Sequence, residues 1–574
     1  MNPSLSEAIE HIYDERKDFV IIGLTGRTGS GCTTVSKLLS STLEEFCPPK
    51  PKYGCLDSNE ERKYRVIYDY LSQNWHPFIR IEMRSIITSF ILEYNFNAFI
   101  EYLKSQHSEI PNLGDLINSL ETSIKSQFNE MHELRKSIKE KTEENEEYLR
   151  EDAAYNFYFK ELCEFTEKLK GALIKFHSDT YTEIYQALGN NLRGSGEPYS
   201  NSFMPENLFK LSQRTNTLIK VLRKRNKTGQ KKGRVLVVID ALRNPYEATF
   251  FKDRYAAFYL VAVNTDDKYR VERLGRIGLN HIQIEQLDDK EYPDKKDSKD
   301  SKEIFAYQNI QKCLEISDIF LYNPETTTND FSNLKRDIFK YVSLIIHPGL
   351  VTPTHIERTM QLAFNAKMNS GCISRQVGAA VTDNDFSIKA IGWNSTPECQ
   401  VDCNLKNLND LQHFENKSSY SDFELTNSKF RDILNRRCKE IEKADLKGRN
   451  YSYCFKDLYN EIKSTKTQVY TRSLHAEENA FLQIAKYGGA GVKDGYLFTT
   501  ASPCELCSKK AYQLGIKKIY YIDPYPGISL DHILNNGTRR PELILFTGAI
   551  GRAFTQLYNP IISYKDELSL LLDR

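Results

Sequence analysis

The stretch FVIIGLTGRTGSGCTTVSKLL (19–39) limits the fold more than any other part of this chain. Its unbroken apolar run is the pattern of a strand buried on both faces. The glycines at 26, 29 and 31 give a tight turn, and the apolar spacing that follows predicts a helix. A strand, a glycine loop and a helix in that order open an α/β domain. Three more apolar runs, RVLVVIDAL (234–242), FYLVAVNT (258–265) and DIFLYN (318–323), supply partner strands for a parallel sheet with helices on both faces.

At 574 residues the chain exceeds what one ordinary core holds. Between the first two runs, residues 115–190 are rich in Glu, Lys, Leu and Ser, which predicts a helical insertion, a hairpin or lid, with a solvated charged surface. Residues 285–303, EQLDDKEYPDKKDSKDSKE, are nearly free of apolar side chains and read as a mobile loop. The prolines and glycine of HPGLVTPTH (347–355) mark the boundary between a first domain, 1–345, and a second, 346–574. Past it, Ile356, Met360, Ala363 and Phe364 recur on one helical face, and QVGAAVTD and SIKAIGWN flank NDF as a β-hairpin.

Charge and composition exclude some classes. Lys and Arg number 78 and Asp and Glu 77, so bulk charge draws the chain to neither nucleic acid nor membrane. No run of about 18 apolar residues is present to span a bilayer. The amphipathic MNPSLSEAIEHIYDERKDF lacks the apolar core of a signal peptide, and the twelve cysteines then read as thiols or metal ligands of a soluble cytoplasmic protein.

Chemistry concentrates in SLHAEENAF (473–481) and TTASPCELCSKK (499–510). Ser502 fits a helix N-cap and Pro503 the first helical position, which puts Cys504 and Cys507 on one face of the first turn, where the helix dipole favours thiolates. Two thiolates with the imidazole of His475 make three zinc ligands and leave a fourth position for water, the count of a catalytic site. Glu477, two residues after His475, is then the carboxylate that shuttles protons. H-x-E alone is a chance pattern; H-x-E followed by P-C-x-x-C is the signature of zinc nucleobase deaminases. A redox C-x-x-C would need neither His475 nor Glu477, and no second C-x-x-C completes a zinc ribbon.

GRTGSGCTT (26–34) nearly matches the phosphate loop G-x-x-x-x-G-K-[ST], with Gly26, Gly31 and Thr33 in place and Cys32 where the lysine belongs; Gly29 and Thr34 lie in the same stretch and join them as candidate nucleotide-binding residues. Backbone N–H groups and the following helix still suit phosphate, and Asp240 sits where a carboxylate would hold Mg2+. The missing cation argues for nucleotide binding or regulation over phosphoryl transfer, unless Arg27, Lys37, Arg243 or Arg270 replaces it.

From His475, Glu477, Cys504 and Cys507, with SRQVGAAVTDND (374–385) and GWNSTPE (392–398), the last ~225 residues resemble the deoxycytidylate deaminase branch of the cytidine deaminase superfamily. The resemblance implies an α/β/α deaminase fold. It places Asn394 at the sugar hydroxyl, Ser374 and Arg375 near the phosphates and Tyr525 over the base. Asn394-Ser395 departs from the usual Asn-Gly. Cys372, Cys399, Cys403, Cys438 and Cys454 read first as buried thiols. Related viral enzymes carry a structural zinc near the positions of Cys372 and Cys399, which makes Cys372, Cys399 and Cys403 a candidate second zinc site.

DALRNPYEATFF (240–251) and FYLVAVNTDDKYRVERL (258–274) resemble nucleoside and nucleotide kinase-like P-loop proteins. The fusion of the two resembles bacterial anti-phage dCTP deaminases. That resemblance implies deamination of dCTP and dCMP to dUTP and dUMP, a homo-oligomer, and restraint by a neighbouring small RNA. Two other readings stay open: a polynucleotide deaminase acting on RNA or single-stranded DNA, and a nucleotide sensor whose deaminase fold is scaffold.

Overall fold

A computed structural model describes the chain except residues 1–2, 53, 55–57, 145–146, 148, 150, 176–177, 229–232, 292–302, 325–330, 442–443, 489–490, 524–528 and 573–574. It divides into two units, Met1–Thr352 with Arg552–Arg574, and Pro353–Gly551. Both are mixed α/β.

In the first unit the strands are β1 (Phe19–Thr25), β2 (Ile79–Glu82), β3 (Val235–Asp240), β4 (Phe258–Asn264) and β5 (Ile319–Tyr322). They lie in the order β5-β4-β1-β3-β2 and every pair is parallel. β1, β3 and β4 are buried along almost their whole length, as both-face burial requires of continuous Val, Ile and Leu runs. β2 was not foreseen. IRIE alternates apolar and charged residues over four positions and runs directly into the helix Met83–Ile91, so no turn residue marks its end.

The stretch 115–190 is helical, in Leu113–Ser123, Lys125–Glu144, Asp152–Asn156, Leu162–Leu173 and Thr180–Gly194. It is part of the main core and not a solvated appendage: Leu120, Phe128, Phe165 and Leu169 are fully buried in the cluster that also holds Val237 and Leu260 of β3 and β4. The longer helices carry apolar residues at i, i+3 or i+4 beneath a charged face, and that stripe decides burial. Residues 285–291 also differ from the expected loop. His281–Glu291 is a helix anchored by Ile284 and Leu287 on Leu274, while 292–302 lie outside the described residues.

The 346–574 expectation differs at its far end, because Arg552–Arg574 belongs with the first unit. The reason is a set of polar anchors, of which the His347–Glu567 pair is buried. Arg552 Nη2 donates to Phe258 O at 2.6 Å, Gly349 N to Leu557 O at 2.9 Å, and His347 Nε2 meets Glu567 Oε1 at 2.8 Å.

The second unit holds β6 (Gly378–Thr382), β7 (Ile388–Trp393), β8 (Tyr496–Ala501), β9 (Lys518–Asp523) and β10 (Glu542–Leu545), in the order β10-β9-β8-β6-β7. β6 is antiparallel to both β7 and β8, whereas β8, β9 and β10 run parallel. Two glycines set how helices close over this sheet. A Cβ on Gly392 would lie 2.2 Å from Ala476 O and 2.5 Å from Ala480 N, and one on Gly378 would lie 2.0 Å from Ala363 O. Gly392 pairs with Ala379 across the β6–β7 ladder, so it shares that residue's face, and Gly378, one residue along, points to the other. Helix Ala476–Tyr487 therefore packs on one face and helix His355–Ala366 on the opposite one, each close enough that only glycine fits beneath it.

Candidate functional site

Two helix starts on the second unit's sheet create the site. His475 is the cap residue of helix Ala476–Tyr487, and Glu478 at the third position reaches back to its amide. Cys504 caps helix Glu505–Gln513. The second helix begins two residues later than the N-cap at Ser502 would place it, because Ser502 N donates to Asp523 O at 2.9 Å and so stays in the β8–β9 ladder. Cys507 remains on the first turn and is buried.

This arrangement brings three candidate metal ligands together. His475 Nδ1 lies 3.3 Å from Cys504 Sγ and 3.4 Å from Cys507 Sγ. Tetrahedral zinc with its usual Zn–N and Zn–S lengths separates such atoms by about 3.5 Å, so the donor set fits the ion in both chemistry and spacing. Among the described residues it is the one group of three or more His, Cys, Asp or Glu side chains able to share a metal. The Cys504 thiol is drawn down to about 3 by its hydrogen bond with Cys507, with His475 adding to the effect. Cys507 is pushed up by that same bond and by burial. One thiolate forms readily; a cation is what draws off the second proton.

Glu477 is buried beside these three side chains, and burial pushes its carboxyl up. Thr499 Oγ1, on β8, lies 3.2 Å from Glu477 Oε1 and 2.8 Å from Ala501 O. Glu478 pairs with Lys510 across the two site helices, and Asn479 Nδ2 donates to Trp393 O at 2.9 Å, which ties the first helix to the end of β7. Thr499, Asn479 and Lys510 were missed from the sequence. Their only signal there is position, within a few residues of the two motifs.

The model that matches residues 353–523 is the cytidine and deoxycytidylate deaminase zinc-binding region. The C-terminal region is a deaminase domain of that type. The Enterobacteria phage T2 deoxycytidylate deaminase is 28% identical over 184 residues, 31% of this chain and 85% of that protein. The Schizosaccharomyces pombe deoxycytidylate deaminase is 24% identical over 199 residues, 34% of this chain and 46% of the yeast protein. Among solved structures, the cyanophage S-TIM5 dCMP deaminase in complex with dCMP and dUMP matches at 24% identity and a TM-score of 0.20, covering 33% of this chain and 95% of that one.

The other expected residues of the deaminase domain are placed as follows. Asn394 is buried and its side chain braces a loop: Oδ1 accepts from Val377 N at 2.7 Å and Nδ2 donates to Arg375 O at 2.6 Å. Arg375 is ion-paired with the fully buried Asp523 at the end of β9, and Ser374 beside it is exposed. Tyr525 lies outside the described residues. Cys372, Cys399 and Cys403 do not form a metal-sized group: Cys399 is exposed and Cys403 buried, and the three do not bring their sulfurs together as the site cysteines do. The sequence places them near one another, but the half-buried Asp402 carboxylate, accepting from Ser395 and Thr396, is what organises this loop.

In the first unit, Gly26, Gly29 and Gly31 all take positive φ in the loop after β1, and helix Cys32–Ser40 follows with Thr33 exposed and Thr34 half-buried. Burial pushes the Cys32 thiol up to about 12, which leaves it neutral. Asp240 Oδ2 accepts from Ser36 Oγ at 2.9 Å and Arg80 Nη2 at 2.6 Å. Of the replacement cations, Arg27, Arg243 and Arg270 converge on the loop, while Lys37 is exposed on the helix.

Proposed function

We propose that the chain is a zinc-dependent hydrolase of deoxycytidine nucleotides, converting dCMP and dCTP with water to dUMP and dUTP and releasing ammonia. The carrying observation is the convergence of His475, Cys504 and Cys507 with the buried Glu477 at two facing helix starts. Held by those three ligands, zinc supplies a Lewis acid that acidifies water near neutral pH. Glu477 accepts one proton from water and gives it to the ring N3 as C4–O forms, then takes the second proton from the new C4 hydroxyl and gives it to the departing amine, so that C4–N breaks, ammonia leaves and the carboxylate is regenerated. Burial suits it to hold that proton, and Thr499 fixes its orientation. We place the sugar and phosphates against the 374–377 loop braced by Asn394, with the Arg375 guanidinium suited to phosphate by its planar fork.

The similarity to deoxycytidylate deaminases supports a free nucleotide as substrate. The sequence resemblance to anti-phage dCTP deaminases supports depletion of the pyrimidine deoxynucleotide pool during infection as the cellular role, with a homo-oligomer and a small inhibitory RNA as its partners. We further propose that the glycine loop of the first unit binds a nucleotide with Mg2+. The buried Asp240 Oδ1, which has no partner among the described residues, suits the ion. Purified protein incubated with dCMP, dCTP, CMP, CTP and single-stranded DNA, with ammonia and products measured, tests the reading. Turnover confined to the deoxynucleotides is expected, and turnover of DNA alone would replace the reading with a polynucleotide deaminase.

A further inference from the structure

The loop after β1 already holds an anion, and the protein supplies it. The Glu291 carboxylate, fully buried at the end of helix His281–Glu291, accepts from Thr28 N at 3.1 Å to each oxygen and from Thr28 Oγ1. Arg243 donates to the same carboxylate and, at 2.6 Å, to Thr28 Oγ1. Asp288, one turn earlier on that helix, takes Arg27 at 2.8 Å and Arg270, whose Nη1 also reaches Thr28 O at 3.4 Å. A backbone N–H inside a glycine loop, a hydroxyl and three guanidiniums form a seat for a doubly or triply charged oxyanion. Two carboxylates of one short helix fill it.

We propose that Glu291 and Asp288 stand in the seat of a di- or triphosphate anion, and that helix His281–Glu291 is a displaceable plug which must withdraw before such a ligand enters. This deepens the reading of the glycine loop as a nucleotide site and is independent of the deaminase chemistry. The helix is built for release, because its apolar anchorage is the small cluster of Ile284 and Leu287 on Leu274, apart from the main core. A carboxylate and a phosphate compete for the same donors, so the apparent affinity of the ligand is lowered by the fraction of molecules with the plug seated.

The test is pyrophosphate binding to the full-length protein by titration calorimetry, together with hydrogen exchange across residues 281–291. Glu291→Gln keeps the shape and removes the charge, and it is expected to tighten pyrophosphate binding by about tenfold or more. Arg243→Ala in the Glu291→Gln background should abolish that gain. In the wild-type protein, pyrophosphate should speed exchange in the helix, a readout that stands even if the variants fold poorly. Equal affinity for the wild type and Glu291→Gln, with no change in helix exchange, would overturn the plug while leaving the seat. Absence of pyrophosphate binding in both would overturn the seat itself.

Discussion

Gly392→Ala is the sharpest structural perturbation of the deaminase site that touches none of its chemistry. The added methyl carbon would lie 2.2 Å from Ala476 O and 2.5 Å from Ala480 N. Both are backbone atoms of the helix whose cap is His475 and whose first turn carries Glu477, so neither can rotate away. An ordinary contact distance requires the helix to rise from β7 by roughly 1 Å, and a displacement of that size costs on the order of 100-fold in rate where catalytic groups must align. Overpacking of this kind also costs about 1–3 kcal/mol of stability. Gly378→Ala supplies the control. Its methyl would meet Ala363 O at 2.0 Å, beneath helix His355–Ala366 on the opposite face, which carries no proposed ligand. Ammonia release from dCMP and thermal unfolding should be measured on both variants. Similar losses of stability are expected in the two variants, with a far larger fall in kcat for Gly392→Ala. Equal falls in kcat for the two, or an unchanged kcat for Gly392→Ala in folded protein, would refute this.

Further outcomes follow from individual contacts. Cys504→Ser removes a thiolate from a three-ligand set, and elemental analysis should show zinc lost from the purified protein. Thr499→Val takes from Glu477 its hydroxyl neighbour, and a fall in kcat of about tenfold is expected at unchanged zinc content, since one buried hydrogen bond is worth about 1 kcal/mol or somewhat more. Phe165→Ala opens a cavity in the core of the first unit and should cost about 3–5 kcal/mol in denaturant unfolding, where a solvated insertion would lose almost nothing. Lys510→Ala breaks a half-exposed pair with Glu478 and should change stability by under about 1 kcal/mol.

What was legible in the sequence was whatever is encoded locally. The two motifs that carry the proposed zinc ligands sit at helix starts, where three or four consecutive positions fix both backbone direction and side-chain placement, so the grouping of His475, Glu477, Cys504 and Cys507 was legible. The long apolar strands were legible for the same reason, since double-sided burial demands an uninterrupted run. β2 was not, because four residues of alternating character at the start of a helix carry no distinguishing period. The burial of 115–190 was hidden by the charge on its outer face. Long-range pairing was invisible: nothing near Arg375 announces Asp523, nothing near Thr28 announces Glu291, and nothing in the final helices announces their return to Tyr13 and His347. In each case a buried polar group found its partner across more than a hundred residues, and only the fold defines that neighbourhood.

The central claim is that Glu477 carries protons for a reaction performed at the His475, Cys504 and Cys507 centre, and the variant Glu477→Gln tests it most directly. Zinc content and ammonia release from dCMP and dCTP should be measured on the same preparation as the wild type. The account predicts one zinc per chain in both proteins, with release in the variant reduced by about 100-fold to 10,000-fold, the contribution of a positioned general acid–base. Undiminished ammonia release from the variant, or a wild-type protein that turns over these nucleotides without bound zinc, would contradict it.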